Sequence, residues 1–185
     1  MRWIGLTGGI ATGKSTVGEI LRHNNIAVVD ADQIARDVVQ PGEPGFIKVV
    51  AAFGSQILQA DGNIDRRKLG TIVFSDTSKR QLLESIIHPL IRNKVLAIRA
   101  ELARKSQRFA VYEIPLLFEK DLQGDFDSTV VVIADEKTQK QRLKARSKLT
   151  DQEISDRLAA QLPLSEKVKR ATAVIENSGT LQELE

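Results

Sequence analysis

The chain has 185 residues, 42% of them apolar and 28% charged, with a formal net charge of +3: enough for a real core and one inserted subdomain, and not the composition of a disordered chain. It has no cysteine and only two histidines, His23 and His88, which excludes disulfide scaffolds, thiol catalysis and Cys- or His-built metal centres. So small a basic surplus suits a phosphate pocket, and with six Phe, one Trp and one Tyr a base-stacking surface is not expected. No apolar run approaches the ~20 residues of a membrane span, and Met1-Arg2-Trp3 leads straight into a strand-like run. A cytoplasmic protein is therefore expected, with no membrane, nucleic-acid or obligatory protein partner.

The first strand, Trp3 to Thr7, runs into Gly8-Gly9-Ile10-Ala11-Thr12-Gly13-Lys14-Ser15, and Val17, Ile20 and Leu21 then form the apolar stripe of a helix. Strand, G-x-x-x-x-G-K-[ST] and helix together specify a phosphate-binding loop. Glycines let backbone N–H groups curl around a phosphate, and the helix N-terminus adds partial positive charge. Lys14 reaches the β- and γ-phosphates, and the Ser15 hydroxyl is placed to ligate magnesium. A nucleoside triphosphate is the expected ligand. His23, at the helix end, reads as a dipole partner.

The second strand, Ile26 to Val29, ends in Asp30-Ala31-Asp32. Ligands of an open parallel sheet sit outside its carboxyl ends. Asp32 fits two roles there, accepting a proton from an attacking hydroxyl or capping a helix, and Asp30 and Asp32 can divide them. From about 33 to about 107 no strand is expected, and helical patterns recur around the turn Pro41-Gly42-Glu43-Pro44-Gly45. Leu82, Leu83, Ile86, Ile87 and Leu90 mark one helix. Because proline is disfavoured inside helices, His88-Pro89 is expected to separate it from a second, which buries Ile91, Val95, Ile98 and Leu102. His88 reads either as a cap or as a residue facing a ligand.

Strands at Phe109 to Ile114 and Thr129 to Ala134 follow. Glu113 is an acid in reach of magnesium through water. Asp135-Glu136 after the fourth strand has the look of a Walker B element, but opening the next helix is the preferred role, since 185 residues leave little room for a remodelling ATPase. There is no Asn-Lys-x-Asp guanine signature. Lys137 to Lys148 hold six basic side chains and no acid, with Arg142 and Arg146 on one helix face. This is either a solvated face or a lid whose arginines close over phosphates. A helical segment from about 136 to 170 leads to a last strand, Thr172 to Ile175. Apolar strands spaced by helices imply a parallel sheet covered on both faces.

The loop, Asp30-Ala31-Asp32-Gln33-Ile34-Ala35-Arg36, Asp65-Arg66-Arg67-Lys68-Leu69, His88-Pro89-Leu90-Ile91, Pro115-Leu116-Leu117-Phe118-Glu119, Gln141-Arg142-Leu143 with Arg146, Gln161 and Ile175-x-Asn177 together resemble the dephospho-CoA kinase family along nearly the whole chain. The resemblance implies a P-loop kinase-like three-layer α/β/α fold with a parallel five-stranded sheet, a helical substrate-binding insertion and a helical lid. The nucleotide core would be 1–32 and 108–185, the lid about 136–165, and the CoA-binding insertion 33–107. The implied activity is transfer of the ATP γ-phosphoryl group to the ribose 3′-hydroxyl of dephospho-CoA. By matching position, Asp32 would deprotonate that hydroxyl. Gly8, Gly9, Ala11, Thr12, Gly13, Lys14, Ser15 and Thr16 would hold triphosphate and magnesium. Arg142 and Arg146 would be the lid arginines, Arg66, Arg67 and His88 would contact substrate, and Asn177 would lie near the adenine. The family commonly has Gly-Ser where this loop has Ala11-Thr12, and a small side chain fits there as long as φ stays negative.

Overall fold

The computed structural model describes residues 1–147 and 150–185; Lys148, last of the predicted basic run, lies outside them. Five strands, β1 (Arg2–Gly8), β2 (Ala27–Asp30), β3 (Phe109–Glu113), β4 (Ser128–Ile133) and β5 (Ala173–Glu176), form a sheet in the order β2-β3-β1-β4-β5. All pairings are parallel, and each strand begins and ends within one residue of its expected position. Two-residue alternation sends the side chains of β1 to opposite faces. Ile4 and Leu6 meet Val111, Val132 and Val17, the last from helix α1 (Lys14–His23). Trp3, on the other face, stacks with Tyr112 and Phe126 at centroid distances of 5.6 and 6.4 Å. Each such burial stabilises the sheet by about 1.5–3 kcal/mol.

The remaining helices are α2 (Ala31–Asp37), α3 (Pro44–Phe53), α4 (Arg66–Ser75), α5 (Thr77–Arg104), α6 (Glu136–Arg146), α7 (Asp151–Ala159), α8 (Leu164–Arg170) and the short α9 (Leu181–Leu184). The chain divides into two compact units. One comprises Met1–Asp30 and Leu102–Glu185 and holds the sheet; the other is Ala31–Glu101. The helical unit has its own core, in which Val49, Phe53, Ile57 and Ile64 pack with Leu83, Ile86 and Ile87. Its helices start where the sequence favours starts. Pro44 opens α3, and the Asp65 carboxylate accepts the Arg67 and Lys68 N–H groups at 3.0 Å, capping α4.

Proline does not break the long helix as expected. Thr77–Arg104 is one continuous helix with Pro89 inside it, so His88-Pro89 separates nothing. Proline deprives only the Ser85 carbonyl of its helical donor, and Ser85 and Pro89 are both exposed, so water can satisfy that carbonyl. Packing of Leu83, Ile86 and Ile87 into the helical core offsets the remaining cost. Ile91, Val95, Ile98 and Leu102 are half-buried rather than buried. Replacing Pro89 with Ala is therefore expected to raise the unfolding free energy by about 1–3 kcal/mol. Thermal or urea denaturation checks this, and a lowered midpoint would show that the proline ring contributes packing.

Candidate active site

At the carboxyl end of β1 the chain turns sharply through Gly9-Ile10-Ala11-Thr12 and enters α1. Thr12 is buried, and both its N–H (3.3 Å) and its hydroxyl (2.9 Å) donate to the Gly9 carbonyl, tightening the turn. Gly13 has φ +88°, and a Cβ there would overlap the Asn177 amide; only glycine fits. Ala11 also has a positive φ, +58°. The condition set for a side chain here, a negative φ, is not met, and a left-handed alanine carries a strain of about 1–2 kcal/mol.

These dihedrals leave backbone donors unspent. Gly13 is the N-cap of α1 and offers no side-chain cap, and the first turn holds no acid. Among the described residues, the N–H groups of Ala11, Gly13, Lys14, Ser15 and Thr16 have no acceptor. A helix terminus in that state is a site for an anion.

Lys14 points from this turn to Glu113, the last residue of β3, with Nζ 2.7 Å from Oε1. Glu113 is only 1% exposed. Arg22 lies 3.6 Å from its Oε2, an atom that accepts no hydrogen bond. The carboxylate comes this close to α1 because residue 18 is glycine, where a Cβ would sit 2.7 Å from Oε2. Asp30, ending β2, is in register with Glu113. Sequence alone offers Glu113 as an acid that could reach magnesium through water, with no firm role and no partner; a lysine 99 positions away is its nearest cation.

The outer side of the loop is held by side chains from distant segments. Gln139 donates to the Ile10 carbonyl at 2.6 Å, Gln161 accepts the Ile10 N–H at 2.8 Å, and Asn177 donates to the Thr12 carbonyl at 2.8 Å. Arg142 donates to the Asn177 backbone carbonyl at 2.9 Å. Lys167 is fully buried, 2.7 Å from Glu119 and 3.5 Å from the Gly8 carbonyl. Sequence reasoning assigned no role to Gln139, Glu119 or Lys167, since nothing in their local pattern marks partners as distant as the 129 positions from Gln139 to Ile10 or the 159 from Lys167 to Gly8.

Of the expected site residues, the structure gathers Gly8 to Thr16, Arg142 and Asn177 at one end of the sheet. Arg146 is exposed, one turn beyond Arg142 on α6. Asp135 is the N-cap of that helix: it accepts the Thr138 N–H at 2.7 Å, which, with the Thr138 hydroxyl, holds its carboxyl below the ordinary value. The preferred helix-opening role is the one found. Asp32, Arg66, Arg67 and His88 belong to the helical unit. Asp32 is exposed in the first turn of α2, one residue inside the helix rather than at its cap. Arg66 and Arg67 line a cleft of about 620 Å³ together with Gln59 and Asn63. His88, exposed on α5, does not line it. Among the described residues no group of three or more His, Asp or Glu forms a metal cage, and no helix is long and apolar enough to cross a membrane.

Known proteins share this architecture and its sequence. The family model described as dephospho-CoA kinase matches residues 2–183. The dephospho-CoA kinase of Geobacillus kaustophilus is 49% identical over 180 residues, covering 97% of this chain and 90% of that one. That of Geobacter sulfurreducens is 49% identical over 185 residues, covering 100% and 94%. The crystal structure of TT1252 from Thermus thermophilus superposes with a TM-score of 0.84 at 38% identity, over 99% of this chain and 92% of that one. Dephospho-CoA kinase from Campylobacter jejuni gives 0.73 at 30% identity, over 98% and 90%. With an anion-binding loop at the head of a five-stranded parallel sheet and matches running through both compact units, the chain belongs to the dephospho-CoA kinase family.

Proposed function

We propose that the chain transfers the γ-phosphoryl group of ATP to the ribose 3′-hydroxyl of dephospho-CoA, giving coenzyme A and ADP, the last step of coenzyme A synthesis. The carrying observation is the uncapped start of α1, where unspent N–H groups and Lys14 converge. In this reading the loop from Gly8 to Thr16 cradles the triphosphate, and Lys14 leaves Glu113 for the β- and γ-oxygens. Magnesium fits beside it: the Ser15 hydroxyl is exposed in the first turn of α1 and has no partner among the described residues, a hard oxygen suited to that ion. Bound there, magnesium would neutralise charge on the phosphate oxygens.

Asp32 takes the proton of the attacking hydroxyl. Its place two residues beyond the end of β2 supports this, as does its exposure. The helical insertion holds dephospho-CoA, for which the cleft bearing Arg66 and Arg67 offers guanidinium groups to an anionic substrate. His88 is a second contact in this reading. Arg142 and Arg146 supply positive charge to the phosphoryl group in flight, and closure of α6 and α7 excludes water, the competing acceptor. Asn177 shapes the nucleotide side of the loop.

An ADP-release assay with magnesium, ATP and dephospho-CoA, run beside nucleoside monophosphates and a blank without acceptor, tests the whole reading. Release only with dephospho-CoA supports it; release with another acceptor overturns the substrate, and release that ignores acceptors overturns the kinase. Asp32→Asn is expected to lower kcat about 10²- to 10⁴-fold with ATP affinity unchanged, checked by steady-state kinetics beside calorimetry. Arg146→Ala is expected to lower kcat about 10³-fold. Its melting temperature should stay within about 2 °C, because an exposed side chain contributes little to stability.

A further inference from the structure

Ile10 is gripped at both of its backbone polar groups by side chains from beyond β4: Gln139 on α6 holds its carbonyl, and Gln161, between α7 and α8, holds its N–H. A trans peptide is planar, with its carbonyl and the following N–H pointing in opposite directions. A donor that fixes the Ile10 carbonyl outward therefore aims the Ala11 N–H inward, where it has no acceptor among the described residues. The bond from Asn177 to the Thr12 carbonyl does the same for the Gly13 N–H. Gln161 fixes the preceding peptide in the opposite sense. With the Ile10 N–H outward, the Gly9 carbonyl faces back into the turn, where Thr12 donates to it twice.

We infer that Gln139 and Gln161 are positioning residues for the transferred phosphate, presetting the Ala11 N–H as a phosphate donor and joining the loop to the α6–α8 segment. The inference rests on the reading of this loop as the triphosphate cradle. Ala11 shows why a grip is needed. Its φ of +58° is one that alanine leaves unless its surroundings hold it, and a relaxed Ala11 would turn its N–H away. Neither glutamine touches substrate in this arrangement; both act through the main chain. Gln139 stands one helical turn before Arg142, so α6 carries together a side chain that holds Ile10 and an arginine that donates to Asn177 beside the loop. Both glutamines also line a cavity of about 420 Å³, which leaves room for isosteric replacements.

The polarity of the two bonds supplies the test. Gln139→Glu removes a donor and sets a carboxylate oxygen against the Ile10 carbonyl. Gln161→Glu adds the same charge beside the same residue but keeps the acceptor for the Ile10 N–H. Calorimetric Kd values for magnesium–ATP are measured with both variants, with Gln139→Met (no donor, no charge) and with Lys14→Ala as the control for the loop. Gln139→Glu and Gln139→Met are expected to weaken ATP binding roughly 10- to 100-fold, and Gln161→Glu markedly less. KM for dephospho-CoA should be unchanged in all three glutamine variants, a split that a loss of folding would not give. Equal losses in Gln139→Glu and Gln161→Glu, or wild-type affinity in Gln139→Met, overturn the inference alone. If Lys14→Ala binds ATP as the wild type does, the cradle reading falls and the inference with it.

Discussion

A loop that binds phosphate through its backbone has to leave hydrogen-bond donors unused in the folded protein, and everything around it must keep them from finding other partners. Most backbone N–H groups in a fold are spent on secondary structure, yet five between Ala11 and Thr16 are not. Inside the turn only Thr12 contributes, through its two bonds to the Gly9 carbonyl, and the rest of the grip comes from outside. Each of these outer bonds ends on a carbonyl or on an N–H facing away from the turn: Gln139 and Gln161 at Ile10, Asn177 at Thr12, Lys167 at Gly8. The strained Ala11 and the glycine-only Gly13 are tolerable because this outer shell leaves them no alternative.

Charge around the loop follows from the same need. Glu113 and Glu119 are each brought close to the loop with one oxygen that takes no hydrogen bond, a state costing several kcal/mol without a cation. Lys14 and Arg22 serve Glu113, and a fully buried Lys167 serves Glu119. The two cases differ in a way that matters for chemistry. Among the described residues Lys167 has no second ion-pair partner, and it is fully buried. Lys14 shares its carboxylate with Arg22, so under the proposed reading a phosphate that took the lysine would not strip Glu113 of positive charge. A lysine held this way is already ordered, with little side-chain entropy left to lose if it were to take a phosphate.

What could be read in advance was what is local in the chain. The phosphate loop is eight consecutive residues with a strand before and a helix after, and the five strands announce themselves by short β-branched runs. The helical insertion showed as a long stretch with helical periodicity and no strand. What could not be read depends on distant partners. Pro89 looked like a helix end because the local rule counts one lost hydrogen bond and not the core that Leu83, Ile86 and Ile87 join on the same helix. Ala11 was compatible with the loop only if φ stayed negative; its φ is positive, next to an Ile10 held by side chains 129 and 151 positions away. Glu113 was noticed as an acid, but its two cations lie on a helix nearly a hundred residues earlier.

The sheet order explains why so many separate segments can act on one loop. With β1 in the centre, β3 and β2 on one side and β4 and β5 on the other, every strand delivers its carboxyl end to the same edge. Gly8 ends β1, Asp30 ends β2, Glu113 ends β3, Asp135 follows β4 by one residue past Ala134, and Asn177 follows β5 directly. Parallel pairing needs a crossover after each strand, and here the crossovers are where the functional parts sit: the phosphate loop and α1 after β1, the helical unit after β2, α6 to α8 after β4. Residues far apart in sequence thus reach the loop because their strands end in register beside it. Gln139 and Gln161 lie in one crossover, between β4 and β5, so the arginines of α6 and the outer grip on Ile10 belong to the same piece of chain.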